Sequence, residues 1–335
     1  VKNLDSDLVD GRGRRVSYLR LSVTDRCNLA CRYCVRENPE FMPHADILRF
    51  EEMERLVTVA RRMGVDKVRI TGGEPLVRQG VVGFIKRLLG FQPTLDVRLT
   101  TNGALLAEPL EELARAGLSR VNVSLDTLDP ERFARITGRD LLGKVLESVD
   151  EAMRLGVGVK INAVGLKGIN EDELGAFMRL AADKPVEVRF IELMPMGPCS
   201  PWTEEHLWPA EDILARAREL ADLRPMDRRS PSSGPADVYE IAGGRGRFGI
   251  IAPLTNHFCG SCNRLRVTAD GRLRTCLFSE KTCRLRPALR HPGLGDEQVE
   301  RILRQALRDK PLGSELMAAR GKGGYCRSRM SSIGG

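Results

Sequence analysis

The chain has 335 residues, 42% hydrophobic and 29% charged, with a net charge of +8 carried mostly by Arg. That length suits two domains or one barrel with an appendage, and the composition excludes disorder and collagen-like repeats. No apolar run is long enough to span a bilayer, and Val1 to Arg15 is polar and basic, so a cytoplasmic address and no membrane partner are expected.

From residue 16 to about 193, strand-like and helix-like runs alternate. Strands are predicted at 17–23, 67–71, 95–100, 120–125, 157–164 and 186–193. Helices are predicted at 50–62, 79–89, 104–115, 142–155 and 171–182, with Gly117 and Gly156 closing two of them. Such alternation predicts α/β architecture, parallel strands with crossover helices, and six units suggest a barrel or an open partial barrel. Arg224 to Ala236 is rich in Pro, Ser and Gly and is expected to be a linker. The domain boundaries expected are therefore 1–222, a linker at 223–236, and 237–335. Short strands at 238–242 and 247–252 and a helix near 296–308 follow the linker.

The strands carry a second pattern. Alternate residues of a strand face opposite sides. Leu19, Leu21, Val68, Ile70, Val97, Leu99, Val159 and Ile161 fall on one face, to be covered by helices. Arg20, Lys67, Arg69, Arg98, Thr100, Asn122, Ser124, Lys160, Asn162, Glu187 and Arg189 fall on the other. An ordinary barrel fills its lumen with branched apolar side chains. A lumen lined by Arg, Lys, Thr and Asn calls for a large, polar, anionic ligand. A one-sided antiparallel sheet facing water would give the same alternation, but the intervening helices argue against it.

The nine Cys do not read as a disulfide framework, because they come in groups. Cys27, Cys31 and Cys34 form C-x3-C-x2-C directly after the first strand. A structural zinc site wants four ligands, and nothing nearby before His44 supplies a fourth. Three thiolates can hold a 4Fe–4S cluster and leave one iron open. The motif, with Tyr33 before its last Cys, resembles the signature of the radical S-adenosylmethionine superfamily. Thr71-Gly72-Gly73-Glu74-Pro75, after the second strand, agrees with it. The resemblance implies that the cluster's open iron binds S-adenosylmethionine and delivers an electron that cleaves it to a 5′-deoxyadenosyl radical. It further implies that Tyr33, Gly73, Ser124 and Met194 line the cofactor site.

Cys259, Cys262 and Cys276 form C-x2-C-x13-C. Spacing alone leaves two readings open: zinc with a remote fourth ligand, such as His257, Cys283 or Cys326, or a second cluster with an open iron. Phe258 to Arg266, Cys276 to Phe278 and Ile333-Gly334-Gly335 resemble the GTP 3′,8-cyclase family of molybdenum-cofactor biosynthesis, as do Leu19 to Cys34, Lys67 to Leu76, Thr100 to Gly103, Val123 to Leu128 and Arg189 to Pro195. The resemblance implies an incomplete TIM-like (β/α)6 barrel closed by a smaller C-terminal α+β domain that carries a second 4Fe–4S cluster. It implies a lyase acting on GTP, with contacts from Arg20, Lys67, Arg69, Thr100, Lys160, Arg189, Arg264 and Arg266, and a catalytic tail, Gly334 and Gly335, inserted into the site. An electron donor such as flavodoxin or ferredoxin and cyclic pyranopterin monophosphate synthase downstream are the partners it implies; a homodimer stays open. A zinc-containing nucleic-acid binder is disfavoured, since aromatics are few and the basic residues point inward. Val35, Cys283 and the segment 321–329 depart from the family pattern, and Cys199, Cys283 and Cys326 are expected to be plain thiols.

Overall fold

A computed structural model describes residues 7–34, 40–92, 94–197, 204–227, 234–321, 326–328 and 330–334. The first six strands are β1 (Tyr18–Ser22), β2 (Lys67–Thr71), β3 (Asp96–Thr101), β4 (Arg120–Ser124), β5 (Gly158–Gly165) and β6 (Glu187–Glu192). Between them run α1 (Phe50–Arg62), α2 (Val81–Leu89), α3 (Ala107–Arg115), α4 (Pro130–Thr137), α5 (Leu142–Arg154) and α6 (Leu174–Asp183). The six strands lie side by side in chain order, each parallel to the next. Helix α4 was absent from the predicted set, yet its start is written locally. Asp129 caps it by accepting from Arg132 N at 2.6 Å, and Pro130 stands at its first turn, where a missing N–H costs nothing.

The rest of the chain extends this same sheet on both sides. After α7 (Ala210–Leu220) come β7 (Leu223–Pro225), β8 (Asp237–Ile241) and β9 (Arg247–Ile251). Then follow β10 (Arg264–Val267), β11 (Arg272–Arg274), β12 (Cys283–Arg284), α8 (Arg286–Arg290), α9 (Asp296–Arg308), α10 (Gly313–Arg320) and α11 (Met330–Ile333). Strand β9 pairs in parallel with β6, and β10 pairs in parallel with β1. The outer strands are antiparallel, giving the order β12-β11-β10-β1-β2-β3-β4-β5-β6-β9-β8-β7. The expected linker begins as structure: β7 pairs with β8, because Leu223 is buried and its backbone finds partners there. Residues 228–233 of that stretch lie outside the described residues.

The alternation read from the sequence holds. In β3 and β5 every second residue is buried and its neighbours are half-buried. Leu19, Leu21, Val68, Ile70, Val97, Leu99, Val159 and Ile161 join the helices in one apolar core. Each such side chain removed from water contributes about 1.5–3 kcal/mol before ordering costs. A second, smaller apolar cluster joins Met196, Phe278, Cys326 and Ile333, with Met194, Cys276 and Met330 packed against it. It holds the chain's last segment down. Cys326 N donates to Pro195 O at 2.8 Å and Gly197 N to Cys326 O at 2.7 Å.

Candidate active site

Strand register gathers the basic face into rows. Arg274 stands opposite Arg266, Arg266 opposite Arg20, Arg20 opposite Arg69, and Arg69 opposite Arg98. Five guanidinium-bearing residues thus share one level of five adjacent strands, β11 to β3. One level lower, Arg264, Tyr18 and Lys67 are in register. Lys67, Arg69, Lys160, Arg189 and Arg264 line a single cavity together with Tyr18, Arg98 and Asn263. Residues of β2, β3, β5, β6 and β10 meet there, so the sheet bends round its polar face.

Five of the eight residues expected at the substrate therefore share one hollow, and the other three border it. Thr100 accepts from Arg69 Nη1 at 3.0 Å. Arg20 and Arg266 continue the row above. The internal bonds leave cationic capacity to spare. Glu187 pairs with both Lys160, at 2.7 Å, and Arg189. Burial pushes the Lys160 ammonium down to about 7, helped by Arg189 and resisted by Glu187. Burial likewise lowers Arg266 to about 10, with Arg264 adding to the effect. Arg20 is driven well below the usual guanidinium range by burial and then by Arg266, and its Nε is buried without a partner. Asp96 pairs with Lys67 and Arg98, so two carboxylates face six cations of the lining, and that excess of positive charge suits a multiply charged anion. Burial alone would raise the Tyr18 phenol, but Arg69, Arg20 and Arg264 outweigh it and bring it to about 8. Tyr18 and Asn263 were not singled out from the sequence; Arg98 was placed on the polar face but not among the substrate contacts. Tyr18 and Arg98 share the strand parity of Arg20, which was the available signal; Asn263 lay inside a motif already singled out.

The first cysteine trio follows the C-terminal end of β1. Its loop is pinned to α4, since Ala30 N donates to Thr137 O at 2.8 Å and Arg32 N to Ile136 O at 3.1 Å. Cys27 Sγ accepts from Leu29 N at 3.4 Å and Asn102 Nδ2 at 3.7 Å. Asn102 is held in turn by its N–H to Glu74 Oε2 at 2.7 Å. Glu74 also accepts from Leu76 N and Thr101 Oγ1 at 3.0 and 2.9 Å. Burial nevertheless raises its carboxyl to about 7. The glycines before it also serve the packing of the chain. A Cβ on Gly73 would stand 2.4 Å from Arg26 O, and one on Gly72 2.6 Å from Thr24 O. What their bare backbone admits at that point is the chain's own cysteine loop. Tyr33 Oη donates to Asp126 Oδ2 at 2.5 Å, tying the loop to the end of β4. Ser124 is exposed at that end, and Met194 belongs to the second apolar cluster.

The second trio flanks the other end of the neighbouring strand. Cys262 precedes β10, Cys276 follows β11, and both sites lie at the level where β1 begins. Five residues of β1 therefore separate the two cysteine loops, roughly 16 Å at about 3.3 Å per residue. The arginine row crosses between them. Cys259, Cys262 and Cys276 feel one another electrostatically, as Cys27, Cys31 and Cys34 do. Among the described residues no three Cys, His, Asp or Glu side chains gather as they would around a single metal ion. A cubane spreads its thiolates over separate irons, so three half-buried cysteines per loop suit that group.

The tail reaches this site. Gly334 sits at φ 75°, its carbonyl accepts from Arg266 Nη1 at 3.2 Å, and a Cβ there would meet Thr71 Cγ2 at 2.9 Å and Ser22 Cβ at 3.4 Å. Glycine is thus required twice over, by its left-handed backbone and by the floor beneath it. Gly335, like Val35 and Cys199, lies outside the described residues. Cys326 is fully buried, while Cys283 is half-buried in β12.

A family model described as the Radical SAM superfamily matches residues 21–181, and one described as Molybdenum Cofactor Synthesis C matches residues 186–316. A GTP 3′,8-cyclase of Syntrophomonas wolfei is 43% identical over 98% of this chain and 100% of its own length. A GTP 3′,8-cyclase of Alkaliphilus oremlandii is 43% identical over 91% of this chain and 93% of its own. The structure of Streptococcus suis SuiB bound to S-adenosylmethionine shares the fold, with a TM-score of 0.63 at 15% identity over 93% of this chain and 70% of that one. No helix among the described residues is long and apolar enough to cross a membrane. With a basic hollow between two cysteine trios and relatives of this similarity along its whole length, the chain belongs to the GTP 3′,8-cyclase family and is a radical S-adenosylmethionine enzyme of molybdenum-cofactor synthesis that uses 4Fe–4S chemistry.

Proposed function

We propose that this enzyme converts GTP to (8S)-3′,8-cyclo-7,8-dihydroguanosine 5′-triphosphate, with Cys27, Cys31 and Cys34 holding one 4Fe–4S cluster and Cys259, Cys262 and Cys276 the other. Bound at the first trio, cluster and S-adenosylmethionine would supply the radical chemistry that removes the ribose 3′ hydrogen; joining C3′ to C8 then requires one electron from the reductant and one proton to give the 7,8-dihydro product. Tyr33, Gly73, Ser124 and Met194 line the cofactor. The triphosphate is held by Lys67, Arg69, Lys160, Arg189 and Arg264, which line the cavity. Arg20, Arg266 and Thr100 border it and place the nucleotide between the trios. Fixed cations in a dry site bind phosphate oxygens without reorganising during the reaction. Gly334 and Gly335 close the site, with Arg266 gripping the Gly334 carbonyl.

The same reading has the sheet curl as an incomplete (β/α)6 barrel over 1–222, with 237–335 closing it and carrying the second cluster. It includes a cytoplasmic enzyme that draws electrons from flavodoxin or ferredoxin and passes its product to cyclic pyranopterin monophosphate synthase. The observation that carries it is the register row of arginines crossing β1 between two cysteine trios at its opposite ends. Anaerobic incubation with GTP, S-adenosylmethionine and a reductant tests it. Mass analysis should find 5′-deoxyadenosine and the cyclised nucleotide in equal amounts. Recovery of intact GTP beside cleaved cofactor sinks the substrate assignment.

A further inference from the structure

Lys310, just past α9, is 3% exposed. Its Nζ donates to Arg264 O at 2.9 Å and to Thr275 O, and stands 3.7 Å from Cys262 Sγ. Those partners bracket the second trio: Arg264 lies two residues past Cys262, and Thr275 immediately precedes Cys276. None of the ion pairs among the described residues gives Lys310 a carboxylate partner; the anion-forming groups acting most strongly on it are Cys262 and Cys276. A lysine is seldom buried without a counter-charge.

A second cation completes the scaffold. Arg14 Nη1 donates to Cys259 O at 2.7 Å, and its Nη2 to Lys310 O at 3.1 Å. Arg14 has its own buried partner, Asp10, at 2.6 Å. Beyond Lys310 the chain turns in at Gly313, where a Cβ would lie 3.2 Å from Cys276 Sγ and 3.5 Å from Cys259 Sγ. The segment 310–313 therefore forms a wall of the cysteine pocket, and Lys310 is the charge built into that wall.

We propose that Lys310 is a positioning residue of the second iron–sulfur site: its ammonium pins Cys262 to the strand leading into Cys276 and offsets the thiolate charge, so that the cluster held there accepts an electron more readily than it would beside a neutral side chain. The inference rests on the two-cluster reading above. Net charge and hydrogen bonds to sulfur are among the quantities that set such a potential. The couple concerned is one electron into the cluster, drawn in the test from dithionite through redox mediators.

The test is a potentiometric titration followed by electron paramagnetic resonance on the full chain carrying both clusters. The Cys276→Ala variant, which keeps the first trio alone, identifies the first cluster's signal. In Lys310→Met the second signal should shift about tenfold toward the oxidised form at fixed potential, a midpoint about 59 mV lower for a one-electron couple. Lys310→Arg, which retains charge and donors, should restore it, and the first signal should stay in place as an internal reference. If Lys310→Met instead loses the second cluster's iron while keeping the first, and Lys310→Arg retains both, the positioning role stands. A second midpoint moved less than threefold in Lys310→Met overturns the proposal. So does loss of both clusters together with the circular-dichroism signal in both variants, which marks a lysine needed for the whole fold. Wild-type iron and sulfide amounting to a single cluster per chain would instead strike the two-cluster reading itself.

Discussion

Among the described residues, the charged side chains that act most strongly on Cys27 and Cys31 are the carboxylates Glu74 and Asp126; those that act most strongly on Cys262 are the cations Lys310, Arg264 and Arg266. Burial pushes Cys27 up to about 11 and Cys31 well above its ordinary value, and the nearby carboxylates add to both. Burial acts the same way on Cys262, yet Lys310 and Arg264 outweigh it and leave that thiol below its ordinary value. Cys276 is raised by burial, with Lys310 pulling against it. The loops therefore differ in the sign of their neighbours and not in how dry they are. One sheet thus carries two cysteine trios whose nearest acting charges differ in sign, and the cations beside the second trio favour anions. The basic hollow includes Asn263 and Arg264, the two residues that follow Cys262, so hollow and second trio share a cation.

Removing one ligand from each loop is the most severe way to break the comparison. Cys27→Ala should abolish both S-adenosylmethionine cleavage and cyclisation. Cys276→Ala should abolish cyclisation while cofactor cleavage persists, with about half the iron remaining. Iron analysis beside chromatography of 5′-deoxyadenosine and nucleotide distinguishes these outcomes. Full-rate cyclisation by Cys276→Ala would show that the second loop plays no part in handling substrate.

Arg266→Ala should have a smaller effect. Arg266 stands in the arginine row and donates to the Gly334 carbonyl, so its loss removes a cation and frees the tail. A hydrogen bond to a charged group contributes about 1.5–3 kcal/mol, so GTP should bind roughly 10- to 100-fold more weakly. Binding of S-adenosylmethionine should change by less than about threefold. Equilibrium dialysis of both ligands makes the measurement, and equal losses for the two would mean that Arg266 supports the fold in general.

Much of this arrangement is legible in the sequence because it is periodic or local. Strand parity alone put Arg20, Arg69, Lys160 and Arg189 on one face, since a side chain's face depends only on its place in the strand. The cysteine spacings are local too. The scaffold of the second loop is neither. Arg14 meets Cys259 across 245 residues of sequence and Lys310 across 296. Contacts of that span leave no periodic trace, so the opening segment showed only its polar, basic character. The pairing of β10 with β1 was hidden for the same reason: four residues, Arg264–Val267, are too few for alternation to be distinctive. Gly72 and Gly73 show the converse. Their presence was plain, but what their missing side chains admit, the backbone of residues 24–26, became visible only in three dimensions.

Lys160 offers the gentlest probe of the cationic side. Its ammonium is held down to about 7 by burial first and Arg189 second, with Glu187 opposing them. A bound triphosphate adds negative charge and raises that value. Below about pH 6 Lys160 is protonated both free and bound, so affinity should not vary with pH on its account. Above 7 the free enzyme has largely lost the proton, and binding must take one up. GTP affinity should then weaken with rising pH, approaching about tenfold per unit for a single linked proton. Arginine keeps its charge throughout this range, so Lys160→Arg should flatten the profile between pH 7 and 9. Calorimetric titration in two buffers of different ionisation enthalpy reads the proton uptake directly. An unchanged slope in Lys160→Arg would assign that proton to another group, with Tyr18, brought to about 8 by its arginine neighbours, the next to test.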